Sequence, residues 1–103
     1  MDYDADELLL ELERIDETLD EAARRAGEGC GPDFERRLGA HLRSLRNILG
    51  ADELAVANDV MEAAERVMNA ADPEAPLLML QHARATLAAV IRRHANARLR
   101  PAA

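Results

Sequence analysis

Gly39-Ala40-His41-Leu42-Arg43-Ser44-Leu45-Arg46-Asn47-Ile48-Leu49-Gly50-Ala51-Asp52-Glu53-Leu54, running on to Met61-Glu62, is the stretch on which the fold turns. Two amphipathic patterns meet in it at Gly50-Ala51. Upstream, Phe34, Leu38, His41, Leu42, Leu45, Ile48 and Leu49 fall on one side of a helical period. Arg36, Ala40, Arg43 and Asn47 fall on the other. Periodicity therefore turns Ala40 to water and His41 toward the core. Gly50 is expected to stop this helix in a left-handed conformation, and Asp52 to cap the next. Downstream, Leu54, Ala57, Val60, Met61, Ala64, Val67 and Met68 form a second apolar stripe.

The same reading extends outward in both directions. Leu8, Leu12, Ile15, Leu19, Ala22 and Ala26 recur at alternating steps of four and three, which makes one stripe, widened at its start by Leu9 and Leu10. Glu11, Glu13, Asp16, Glu17, Asp20 and Glu21 are expected on the opposite, solvated face. Gly27-Glu28-Gly29-Cys30-Gly31-Pro32 is a loop, and Pro32 suits a first helical turn with Gly31 or Asp33 as its cap. Asp72-Pro73-Glu74-Ala75-Pro76 is a second break. Beyond it, Leu77, Leu80, Ala83, Arg84, Leu87, Val90, Ile91 and His94 are expected to face inward. The predicted helices are 4–26, 33–49, 53–70 and 74–99. Short links between amphipathic helices predict an all-α, antiparallel four-helix bundle, one domain spanning 1–103.

Composition fits close helix packing. The chain has 103 residues, 21 of them Ala, and Tyr3 and Phe34 are its only aromatic residues. Ala has the best helix propensity and lets backbones approach. A net charge of −7 argues against nucleic acid, which demands a basic footprint. No apolar run approaches the roughly 20 residues of a membrane span. A lone Cys30, with an acidic rather than basic start, points to a reducing cytoplasm.

Motifs for chemistry are sparse. His41, His82 and His94 are too scattered for a metal site, and no metal or other cofactor is expected. Thr18, Ser44 and Thr86 are the only hydroxyl side chains besides Tyr3. They assemble no nucleophilic triad, so the chain is not read as an enzyme. Gly27-x-Gly29-x-Gly31 lacks the lysine of a phosphate loop. Cys30 reads as an idle exposed thiol and Met61, Met68 and Met79 as core fillers.

The central stretch resembles the histidine phosphotransfer domain, the four-helix module of bacterial two-component phosphorelays. That family carries His, any residue, Leu, Lys and Gly, then Leu-Gly-Ala with a Leu two residues on, and later Leu-Glu. Here Leu42 matches, Arg43 stands for the Lys and Ser44 for the Gly. Leu49-Gly50-Ala51 and Leu54 match in register, and Met61-Glu62 stands for Leu-Glu. The resemblance covers roughly 8–94. In that register Ala40 occupies the phospho-acceptor position, and His41 is one residue late, a rotation of about 100°.

The resemblance implies a docking module without the acceptor histidine. Its partner would be a response-regulator receiver domain or a sensor kinase, met by Arg36, Ala40, Arg43, Ser44 and Asn47. One alternative is an active phosphocarrier with His41 turned outward by local helix distortion. A different one is a self-associating adaptor joined through the first helix, so monomer and homodimer both stay open.

Overall fold

A computed structural model describes residues 4–99. Four helices account for its regular structure: α1 (Ala5–Arg24), α2 (Pro32–Arg46), α3 (Ala51–Asn69) and α4 (Glu74–Leu99). The described residues contain no strand. Each helix lies within a few residues of its predicted span. α4 packs on α3 and α1, while α2 lies against α3 and α1. Leu8, Leu12, Ile15, Leu19 and Ala22 of α1 are buried, as their spacing predicts. They join Phe34, Leu38, Leu45, Val60, Met61, Val67, Met68, Leu80, Leu87 and Ile91 in one core. Burying each large apolar side chain stabilises the fold by roughly 1.5–3 kcal/mol relative to leaving it exposed.

Helix ends are set by local chemistry. Asp4 caps α1 by accepting the Glu7 N–H at 2.8 Å. Gly31 precedes Pro32 at the start of α2, where the missing proline N–H has no intrahelical partner to lose. Gly50 is not a left-handed stop. Its φ is −71°, and it is the N-cap of α3, with the Glu53 carboxylate reaching back to its N–H at 3.4 Å. Asp52 is accordingly inside the helix rather than its cap. The left-handed residues are Gly27 and Gly29. Their N–H groups donate to the Val67 and Met68 carbonyls at 3.0 and 2.7 Å. The Cys30 N–H donates to Asn69 Oδ1 at 2.9 Å. The glycine loop thus satisfies the end of α3, whose last carbonyls have no partner inside the helix.

Several sequence expectations need correction. Leu9 and Leu10 are exposed, because residues adjacent to the stripe of α1 rotate out of its contact arc. Met79 is exposed as well, lying beyond the side of α4 that meets α3 and α1. Glu11 is buried rather than solvated, since α2 packs over the edge of α1 that carries it. Cys30 is half-buried against the core, and burial raises its thiol pKa. The rest of the α1 stripe, Leu8, Leu12, Ile15, Leu19 and Ala22, is buried inside the chain.

Polar clamps join the helices where the apolar stripes end. Arg84 of α4 donates to Asp16 at 3.0 Å and Asp20 at 2.9 Å on α1. His94 of α4 meets Glu53 of α3 at 2.8 Å. That hydrogen bond is the main reason the Glu53 pKa is lowered.

Candidate functional site

The face of α2 begins with helix phase. Phe34, Leu38 and Leu45 anchor one side of α2 in the core. Arg36, Ala40, Arg43 and Asn47 are therefore exposed, and Ser44 is half-buried at their edge. Arg36 is tied to Asp33 one turn earlier in α2. Arg43 makes no ion pair among the described residues, and its guanidinium lies beside Gly39, where a Cβ would stand 3.4 Å from Nη1. Gly39 and Ala40 give this face a low centre, with Arg36 and Arg43 on either side along the helix.

His41, one residue on, is turned to α1. Its Nε2 lies 2.9 Å from Thr18 Oγ1, and its Nδ1 lies 3.3 Å from Glu11 Oε1. The Thr18 hydroxyl also donates to the Arg14 carbonyl at 3.2 Å. The His41 side chain is 12% exposed and that of Glu11 is 9%. Both ring nitrogens are thus engaged on α1. An imidazole can attack phosphorus only through an exposed, free nitrogen lone pair aligned with the leaving oxygen.

A second clamp sits one turn earlier in α2. Arg37 binds Glu21 of α1 in a two-pronged pair at 2.9 and 2.7 Å. Its guanidinium also lies 5.1 Å from the centre of the Phe34 ring, within cation–π range. The Arg37 hydrogen bond holds the Glu21 carboxyl down at about 2, well below its ordinary 4.5. Arg25 adds a further contact to Glu21 at 3.0 Å.

Between α1 and α2 these residues line a groove of about 550 Å³. Ala40 and His41 form part of one wall, and Arg14, Thr18 and Arg24 part of the other. The groove carries acids as well as bases, Glu17 and Asp20 among its lining residues. The described residues hold no group of three or more His, Cys, Asp or Glu side chains arranged for a metal ion. No helix among them is long and apolar enough to cross a membrane.

The structure therefore brings Arg36, Ala40, Arg43 and Asn47 onto one exposed face and sets Ser44 at its margin. Sequence reading missed the partners of His41. Glu11 and Thr18 are polar residues seven apart, at the border of the α1 stripe, on one side of the helix. Polar residues in register at the edge of an apolar stripe were the available signal. Arg37 and Glu21 carried no such signal, since any Arg and Glu on neighbouring helices offer the same chemistry. Compared with protein-family models, curated proteins and solved structures, the chain matches none.

Proposed function

We propose that this chain is a signalling module of the histidine phosphotransfer type, an antiparallel four-helix bundle that docks a receiver domain or a sensor kinase without carrying phosphate. The observation behind the reading is the pairing of an exposed Ala40 with a His41 held on α1 by both ring nitrogens. The resemblance of Leu42-Arg43-Ser44, Leu49-Gly50-Ala51 and Leu54 to the family motif supplies the partner class. A receiver domain presents a cluster of carboxylates inside an apolar rim. Arg36 and Arg43 around a low centre are complementary to that in charge and shape. Occupying a receiver without accepting its phosphate would compete with productive transfer, so the module acts by occupancy.

The test uses a receiver domain phosphorylated by acetyl phosphate. The wild-type chain should bind it, and Arg43→Glu should weaken binding about tenfold or more, since it replaces attraction by repulsion at the interface. Incubation should leave no acid-labile phosphate on the wild-type chain. Ala40→His should create an acceptor, because it sets an imidazole on the exposed face. Phosphate appearing on wild type and vanishing in His41→Gln would overturn the proposal, as would failure to bind any receiver domain or sensor kinase tried.

A further inference from the structure

In a chain of net charge −7, the stretch from Arg36 to Gly50 holds Arg36, Arg37, Arg43 and Arg46 and no carboxylate. Two of these cations are spoken for: Arg36 is tied to Asp33 and Arg37 to Glu21. Arg43 and Arg46 are exposed and make no ion pair among the described residues. Both belong to the last turn of α2, where a cation ordinarily offsets the negative end of the helix dipole. The Arg43 guanidinium does not stay at that end. It leans back one turn and lies beside Gly39, where a Cβ would stand 3.4 Å from Nη1. Helical side chains lean toward the N-terminus, and the absent side chain of Gly39 leaves this one room. A free cation is thus parked next to Ala40. The acids near Ala40 come from α1, with Glu17, Asp20 and Glu21 in the groove between α1 and α2. There Arg84 holds Asp20 and Arg37 holds Glu21. Arg46 follows Arg37 by nine residues, about two and a half helical turns, and so lies on the side of α2 away from α1.

We propose that this face reads the phosphorylation state of the receiver domain, binding the aspartyl phosphate form in preference to the free carboxylate form. Arg43 meets the phosphoryl group and Arg46 adds positive potential beside it. The inference rests on the docking reading above and adds to it which state of the partner is chosen. Phosphorylation adds roughly one negative charge to the acceptor carboxylate and brings three strong acceptor oxygens. A guanidinium presents two parallel N–H donors that match two of those oxygens. An arginine already bound to a carboxylate, as Arg36 and Arg37 are, has to give up that partner before it can bind another anion. Arg43 has no such partner among the described residues to lose, so the whole of its new bond favours the complex. Ala40 beside it offers a methyl group, which leaves space for the phosphoryl group and has no lone pair with which to attack phosphorus. The P–O bond to the receiver therefore stays intact while the complex lasts. Because affinity differs between the two states, occupancy rises as the receiver becomes phosphorylated. The module thus holds back the receivers that are ready to signal and leaves the idle ones free.

Titration calorimetry on the full chain tests this, with one receiver domain in two forms at physiological salt. One form is phosphorylated by acetyl phosphate and desalted, and the other is left unphosphorylated. The wild type should bind the phosphorylated form about tenfold more tightly or more. Arg43→Gln should bring the two affinities within about twofold of each other, and Arg46→Gln should reduce the ratio part of the way. Arg36→Gln should leave the ratio as it is, because that guanidinium is already occupied by Asp33. Circular dichroism on each variant should match wild type, since all three positions are exposed. Equal affinity of the wild type for the two forms overturns the inference and leaves the docking reading in place. So does a preference that survives in Arg43→Gln. Binding to neither form overturns the docking reading, and this inference falls with it.

Discussion

His41→Ala is the substitution whose outcome bears most directly on the reading of α2. The ring makes two contacts with α1, at 2.9 Å to Thr18 and 3.3 Å to Glu11. Losing the Thr18 contact costs about 0.5–1.5 kcal/mol, because that hydroxyl keeps its bond to the Arg14 carbonyl. Losing the Glu11 contact costs more. Glu11 is 7% exposed, and a hydrogen bond to a charged group contributes about 1.5–3 kcal/mol. Arg14 stands 3.8 Å away and its side chain is largely exposed, so it recovers part of that loss. The sum is about 3 kcal/mol of unfolding free energy, or roughly 12–24 °C in Tm for a chain of this size. Urea unfolding followed by circular dichroism reads it, with the m-value checked for a change of state. Replacing both partners, as in Glu11→Leu with His41→Leu, should recover most of the loss, since no polar group is then left stranded. A His41→Ala protein within about 0.5 kcal/mol of wild type would refute the reasoning. The ring would then be idle against α1 and free to turn outward.

Two further outcomes follow from the loops and clamps. The folded-state pKa of Glu21 is depressed to about 2 from 4.5, so its pair with Arg37 stabilises the fold above its unfolded pKa. That contribution is lost as pH falls from about 4.5 toward about 2. Solvent screening limits it to on the order of 1 kcal/mol, and Glu21→Gln should flatten the acid limb of a stability–pH curve by that amount. Gly27 has φ +82°, and a Cβ there would stand 3.2 Å from the Ala70 carbonyl oxygen. Gly27→Ala should therefore destabilise by about 2 kcal/mol, read by thermal unfolding. Gly31→Ala, with open space and an ordinary φ, carries no such backbone strain and should cost only the smaller preference of an N-cap for Gly over Ala.

Residue order alone determined much of this molecule. Apolar residues recur in α1, α2 and α3 at helical spacing, which defines each buried face before any neighbour is known. Gly and Pro at 27–32 and 73–76 mark two of the breaks. The phase of α2 was equally legible, because Phe34, Leu38 and Leu45 set its rotation and Ala40 and His41 must then diverge. Tertiary structure decided what those phases meet. Only packing brings Glu11 and Thr18, 30 and 23 residues from His41, within hydrogen-bond reach, and only packing buries a carboxylate that its own helix would leave in water. Packing also left Met79 outside the core, where hydropathy by itself would hide it. Period is a property of one helix. Which groups are satisfied and which are left exposed depends on two or more helices meeting, and no single-helix pattern contains that.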